Sequence, residues 1–160
     1  MSAATPDRSC SVGAICQRSV VSIAPVATIV AAAELMRSAH VGCLLVTEPI
    51  ADSGSARVIG TLTDRDIVVS VVARYADPTA LAVRDVMTPH PLMVSEDTAL
   101  DAALGFMEEA GVRRIVITGS KGELVGILSA DDVMQRLSHQ MAMLCGAVSN
   151  EMRTERVVRP

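Results

Sequence analysis

The sequence predicts an α+β, sandwich-like fold of two tandem β-α-β-β-α units. Three observations predict it. The chain matches itself at a fixed offset. Apolar spacing alternates between strand and helix periods in the same order in each copy. One short word, Gly-x-x-Thr/Ser-x-x-Asp, closes both copies.

Residues 12–46 lie over residues 83–117 at an offset of 71, so Val12, Ile15 and Cys16 fall on Val83, Val86 and Met87. Ile29, Leu35 and Met36 fall on Leu100, Phe106 and Met107 in the same register. The offset then drops to 66, and Gly60, Thr63 and Asp66 fall on Gly126, Ser129 and Asp132. The difference sits in residues 47–59, whose Pro49, Asp52, Ser53, Gly54 and Ser55 have turn composition. A surface hairpin accepts such an insertion at little cost.

Within each unit the elements follow in order. Residues 21–23 and 92–94 read as short strands. Residues 28–39 and 98–110 carry apolar side chains at helical spacing, and Gly111 supplies a C-terminal stop. Thr98 with Asp101 resembles a capping box. Residues 43–46 and 115–117 are continuously apolar, as in buried strands. Lys121 and Gly122 make a hairpin turn before a third strand at 124–128, matched by 57–61. Second helices begin near Asp64 and Ala130. Propensity opposes the first of these, because Ile67, Val68, Val69, Val71 and Val72 suit a strand. Alignment with the helix-like residues 132–137, and the acids Asp64 and Asp66 at the start, favour a helix. The expected layout is a flexible N-terminus (1–11), repeat 1 (12–75), a linker (76–82), repeat 2 (83–138) and a helical extension with a frayed tail (139–160). A small sheet with helices on one side cannot close its own core, so the repeats are expected to form one globule.

Composition narrows the function classes. Half of the 160 residues are hydrophobic, which argues against disorder, yet Phe106 and Tyr75 are the chain's aromatic residues. A single-stranded nucleic-acid binder needs stacking platforms, and a formal net charge of −4 provides no basic field, so no nucleic acid is expected. Cys10, Cys16, Cys43 and Cys145 have no metal-ligand spacing and read as free thiols, which suits a cytoplasmic location. No signal peptide, membrane span, P-loop or catalytic triad is evident, and no enzyme activity, metal site or required cofactor is expected. His90, between two prolines, and His139 lack a catalytic partner in the sequence.

With its two Gly-x-x-Thr/Ser-x-x-Asp words, and with Asp85-Val86-Met87-Thr88-Pro89 opening repeat 2, the chain resembles the CBS-domain family over residues 12–75 and 83–138. It reads as a stand-alone tandem CBS module. The resemblance implies a pseudo-twofold pair of repeats with two clefts between them, binding AMP, ADP, ATP or S-adenosylmethionine as effector. It also implies disc-like dimers and signalling by conformational change to a partner protein, which the sequence does not identify.

The motif has a physical logic of its own. Gly60 and Gly126 let a strand run close to a ligand or neighbour. Thr63 and Ser129 stand at strand-to-helix turns, where a hydroxyl can cap the helix or meet a phosphate beside free N–H groups. Asp66 and Asp132 can accept hydrogen bonds from ribose hydroxyls. The same residues also fit plain capping boxes that need no ligand. By resemblance, Arg113 and Arg114 reach phosphates, and they are expected to serve the cleft of Ser129 and Asp132. Repeat 1 has Gly42 and Cys43 at those positions, so that its cleft is expected to prefer less charged ligands unless Arg65 restores charge. The Arg pair would otherwise be a surface fork or salt-bridge Glu108 or Glu109, and Arg65 an exposed first-turn residue. Ile23 and Val94 are candidate walls for adenine, though such residues are more often plain core.

Assembly offers a reading of a different class, a constitutive dimerisation or interaction module with no physiological nucleotide. Val68, Val69, Val71 and Val72 nearly encircle their helix, and a helix apolar on most sides needs two neighbours; a homodimer is expected. Met134, Leu137, Met141, Leu144 and Val148 continue a second stripe, which packs either on its own module or on another chain.

Overall fold

The computed structural model describes residues 11–50, 54 and 56–158, with side chains to Glu151. Cys10, Asp52, Ser53, Ser55 and the expected flexible segment 1–10 lie outside what is described. Residues as far as Leu128 form one compact unit, and residues from Ser129 form a second.

In the first unit, α1 (Val12–Ile15) precedes β1 (Ser22–Ile23), α2 (Ile29–Ala39), β2 (Cys43–Pro49) and β3 (Ala56–Thr63). Next come α3 (Asp64–Ile67) and a π-helical turn at Val68–Val72. Repeat 2 follows with α4 (Val83–Val86), β4 (Thr88–Pro89), β5 (Met93–Ser95), α5 (Leu100–Ala110), β6 (Arg114–Thr118) and β7 (Leu124–Ser129). The helix at Asp64 forms despite its β-branched run. The crowding shows in the wide turn, where Ala73 N–H reaches back five residues to the Val68 carbonyl at 2.9 Å.

Two sheets result, ordered β1-β2-β3-β4 and β5-β6-β7. β1 runs parallel to β2, β2 antiparallel to β3, and β5 parallel to β6. Leu45 and Val58 of the first sheet share a buried cluster with Val116 of the second, which joins the repeats in one core. Buried strands supply Leu44, Leu62, Ile115, Ile117 and Leu128.

Each repeat lends its opening segment to the other. Thr88 and Pro89 of β4 pair with Thr61 and Gly60, while Gln17 bridges to Ile127. Ser11 bridges to Ala99 and Ala82 to Thr28, and Val83 joins the repeat 1 core around Ile29 and Leu44. These pairs are twins under the repeat offsets, so the exchange is pseudo-twofold. It also explains the paired glycines. A Cβ on Gly126 would sit 2.6 Å from the Gln17 carbonyl oxygen, and one on Gly60 would sit 2.6 Å from Met87 sulfur. The close neighbour is the other repeat's crossing strand.

Two capping details differ from expectation. Thr28 caps α2, accepting from Ala31 N–H at 3.1 Å, but its twin Ala99, not Thr98, precedes α5. The Thr98 carbonyl is instead taken by Val12 N–H at 2.9 Å as the exchanged segment arrives. Gly111 does end α5 in the left-handed region, as His40 ends α2.

The second unit is α6 (Ala130–Val158), a single helix of 29 residues. The helix is described as far as Val158, and the last two residues lie outside the described chain. Among the described residues, no helix is long and apolar enough to cross a membrane.

Candidate functional site

A cleft of about 700 Å³ opens in the first unit where β3 passes into α3. Backbone pairing builds one wall. Cys43 at the start of β2 lies opposite Thr63 at the end of β3, and the Asp64 N–H donates to the Gly42 carbonyl at 3.2 Å. A Cβ on Gly42 would stand 2.9 Å from Oδ2 of Asp64, so a larger residue there would turn that carboxylate aside. Repeat 2 has Arg113 in place of Gly42 and Ala130 in place of Asp64, so the larger side chain goes with the smaller partner.

The opposite wall comes from repeat 2. Gly111 turns the chain out of α5, and Val112 N–H returns to the Met107 carbonyl at 3.0 Å, closing a Schellman-type cap. That turn delivers Arg113 and Arg114 to the start of β6, and both line the cleft. Arg113 is exposed and Arg114 half-buried. Arg65, exposed in the first turn of α3, lines it as well. Among the described residues none of the three forms an ion pair, so the alternative contact with Glu108 or Glu109 is not made. The cleft therefore sets three guanidinium groups against the carboxylates of Asp64 and Asp66.

Within the first unit the Arg pair thus shares its cleft with Thr63 and Asp66 of repeat 1, a pairing the sequence did not suggest. The exchange between repeats is the physical reason. The twins Cys43 and Arg114 face one cleft, as do Thr61 and Ile127. The two candidate roles, acid and base, are divided between repeats.

At the turn itself, Asp66 and Thr63 form a reciprocal cap. Thr63 N–H and Oγ1 donate to Oδ2 of Asp66 at 2.8 and 2.7 Å, and Asp66 N–H donates to Thr63 Oγ1 at 3.2 Å. The capping box is real, yet it occupies one carboxylate oxygen; Oδ1 has no hydrogen bond among the described residues. Ser129 and Asp132 repeat the arrangement at the start of α6, with Ser129 N–H donating at 3.1 Å.

Burial pushes the Cys43 thiol above its ordinary range; Arg114 opposes this, while Asp66 and Asp64 add to it. Cys43 therefore stays a protonated, weakly nucleophilic thiol within reach of both charge types. Ile23 does not line the cleft. It pairs with Val46 and packs against the core around Ile29. Val94 is also absent from the lining, pairing with Ile117 in the second sheet. The apolar lining comes from Leu92, Val112 and Ile127, beside Thr61, Thr88 and His90. His90, which has no catalytic partner in the sequence, is carried to the cleft by the crossing segment, its N–H on the Ile59 carbonyl at 3.2 Å. The one sequence signal for these positions is their closeness to β4 and to the twin of Thr61.

The sequence pattern of the CBS domain matches residues 12–73 and 83–139, both repeats and most of the chain. The chain belongs to the CBS-domain family. An uncharacterized 17.7 kDa protein of Acidianus ambivalens is 32% identical over 149 residues, 93% of this chain and 86% of that one. An uncharacterized protein of Methanopyrus kandleri is 32% identical over 128 residues, and the match spans 80% of this chain but 63% of the relative. Among solved structures, the CBS domain protein PAE2072 of Pyrobaculum aerophilum, complexed with AMP, superposes with a TM-score of 0.66 at 26% identity. That match covers 76% of this CBS pair and 88% of the neighbour.

Proposed function

We propose that this CBS pair is a regulatory module that binds an adenosine-containing ligand in the 700 Å³ cleft and performs no chemistry on it. One observation carries the reading: Thr63 and Asp66 of repeat 1 face the same cleft as Arg113 and Arg114 of repeat 2. Oδ1 of Asp66 accepts from the ribose hydroxyls. Thr63, Arg65 and the Arg pair hold phosphate, which guanidinium groups bind through paired hydrogen bonds. The volume lies within the range of small-molecule sites. The AMP complex of the neighbour supports the ligand class. Ser129 and Asp132 form the corresponding candidate for a second ligand. Because both repeats contribute to one cleft, an occupant changes the balance between their arrangements, and a cytoplasmic partner protein reads the change.

Thermal unfolding with AMP, ADP, ATP and S-adenosylmethionine tests this. A true ligand at a hundred times its Kd stabilises the fold by about 2.7 kcal/mol and slows alkylation of Cys43 while leaving Cys145 unaffected. If none of the four raises the melting temperature or protects Cys43, the cleft is not an adenosyl site.

A second reading, a dimerisation module, is favoured by a separate feature. An apolar groove of about 560 Å³ runs between α2 and α3 with its π-turn, lined by Val30, Ala33, Ile67 and Val72 among others. Val71 is buried, but Val68, Val69 and Val72 are each more than half exposed. A second protomer covers this face, and the two readings are compatible. Light scattering at micromolar concentration should give a dimer mass for the wild type and a lower mass for Val72→Glu.

A further inference from the structure

We propose that His90 recognises the base, its imidazole stacking on the adenine ring of the ligand in the cleft. The inference rests on the adenosyl reading above, which gives ribose and phosphate their partners and leaves the base without one. Adenine is a flat π surface, and proteins hold nucleic-acid bases on aromatic rings. Among the described residues that line the cleft there is no Phe, Tyr or Trp. Tyr75 lines the α2–α3 groove instead, and Phe106 lies on α5 outside the cleft lining. His90 carries the one aromatic ring in that lining.

Strand register sets where the ring stands. Thr63 and Thr61 are alternate residues of β3 and share a face. Thr88 pairs with Thr61, and the His90 N–H carries the ladder on to the Ile59 carbonyl, so Thr88 and His90 line the same cleft. Four residues of β3, about 13 Å of strand, separate the level of Thr63 from that of His90. Charge gathers at the Thr63 end. Arg65 and Asp66 follow Thr63 in the first turn of α3, and Arg114 acts on Cys43, which lies opposite Thr63. Beyond His90 the lining is neutral, with Pro91 and Leu92. Base and phosphate leave the ribose from different carbons. A ligand with its ribose on Asp66 and its phosphate on the guanidinium groups therefore turns its base along the wall toward His90.

The backbone holds the ring in place. His90 has a φ of 52°, in the left-handed region that His enters more readily than most residues. Pro89 and Pro91 flank it, and Pro91 disfavours the ordinary helical conformation. Residues fixed in sparsely populated conformations collect at ligand sites. The twin position is Ser19, which has no ring, no flanking proline and no positive φ. The corner is thus peculiar to repeat 2.

Calorimetry with adenosine and with AMP tests the assignment. Asn tolerates the left-handed conformation, so His90→Asn removes the ring and keeps the turn. It should weaken adenosine and AMP alike by about tenfold, within the range that base–aromatic stacking supplies. His90→Phe keeps a ring without a titratable group and should stay within threefold of the wild type for both ligands. His90→Lys carries a charge without a ring and should bind as weakly as His90→Asn. Ring current should move the adenine proton resonances upfield in the wild-type complex, and His90→Asn should lose that shift with the melting temperature of the free protein unchanged. A loss for AMP with adenosine unaffected, or recovery by Lys and not by Phe, would assign the imidazole to phosphate and overturn the proposal. So would affinity within twofold of the wild type in His90→Asn. If His90→Phe destabilises the free protein, the resonances decide: no upfield shift in the wild-type complex overturns the stacking. A wild type that binds neither ligand overturns the adenosyl reading and this assignment with it, whereas equal binding by the wild type and His90→Asn overturns the assignment alone.

Discussion

Replacing Arg113 and Arg114 together by alanine should weaken binding of AMP, ADP or ATP about a hundredfold or more, while adenosine binding changes only a few-fold. A hydrogen bond to a charged group is worth about 1.5–3 kcal/mol. Two at the lower end give about 3 kcal/mol, near two powers of ten in affinity. The lower end applies because Arg113 is exposed and water screens part of its attraction. Arg114 is half-buried beside Cys43 and contributes the larger share. Arg65 lines the same cleft, so some phosphate affinity survives the double variant, and adding Arg65→Ala should remove most of the remainder. Adenosine carries the ribose and base without the phosphates and serves as the control. Calorimetry decides it. Equal losses for adenosine and AMP would mean that the pair shapes the turn after α5 and does not read phosphate.

The elements of this fold were legible because local signals and the repeat agreed. Thr28 and Gly111 bracket their helices as their residue types suggest, and the internal match overrode strand propensity at Ile67–Val72 in favour of the helix that forms. The same match contained the right answer at α5, where the twin of Thr28 is Ala99, and the Thr98–Asp101 pattern misled. The architecture of the cleft was much less legible. Self-similarity says which residues are equivalent; it is silent on which repeat's surface each one faces. The crossings Gln17 to Ile127 and Pro89 to Gly60 join residues far apart in sequence and place Arg114 across from Thr63. Once they are known, His90 and Leu92 follow as cleft residues, because they continue the crossing strand. Apolar character makes Ile23 and Val94 candidate adenine walls, but neither lines this cleft, and Ile23 packs against the repeat 1 core.

Asp66→Ala should separate the two roles of its carboxylate. One oxygen, Oδ2, is taken by Thr63 N–H and Oγ1, and losing that cap costs about 1 kcal/mol of stability. The other oxygen is the proposed ribose acceptor, and its loss should weaken binding by about 1.5–3 kcal/mol, roughly ten- to a hundredfold. The signature differs from that of the Arg pair, because ribose is common to every adenosyl ligand. Adenosine, AMP and ATP should all lose affinity by a similar factor. Asp66→Asn sharpens the test. Its amide oxygen can still accept from Thr63 N–H, so the helix start is largely kept while the negative charge is gone. If charge matters to the ribose, Asp66→Asn should bind nearly as weakly as Asp66→Ala yet melt closer to the wild type. Affinity unchanged in both variants, with only the alanine form less stable, would assign Asp66 wholly to the capping of α3. The ribose would then have to be held elsewhere in the cleft, for which Asp64, on the same first turn, is the remaining carboxylate among the lining residues.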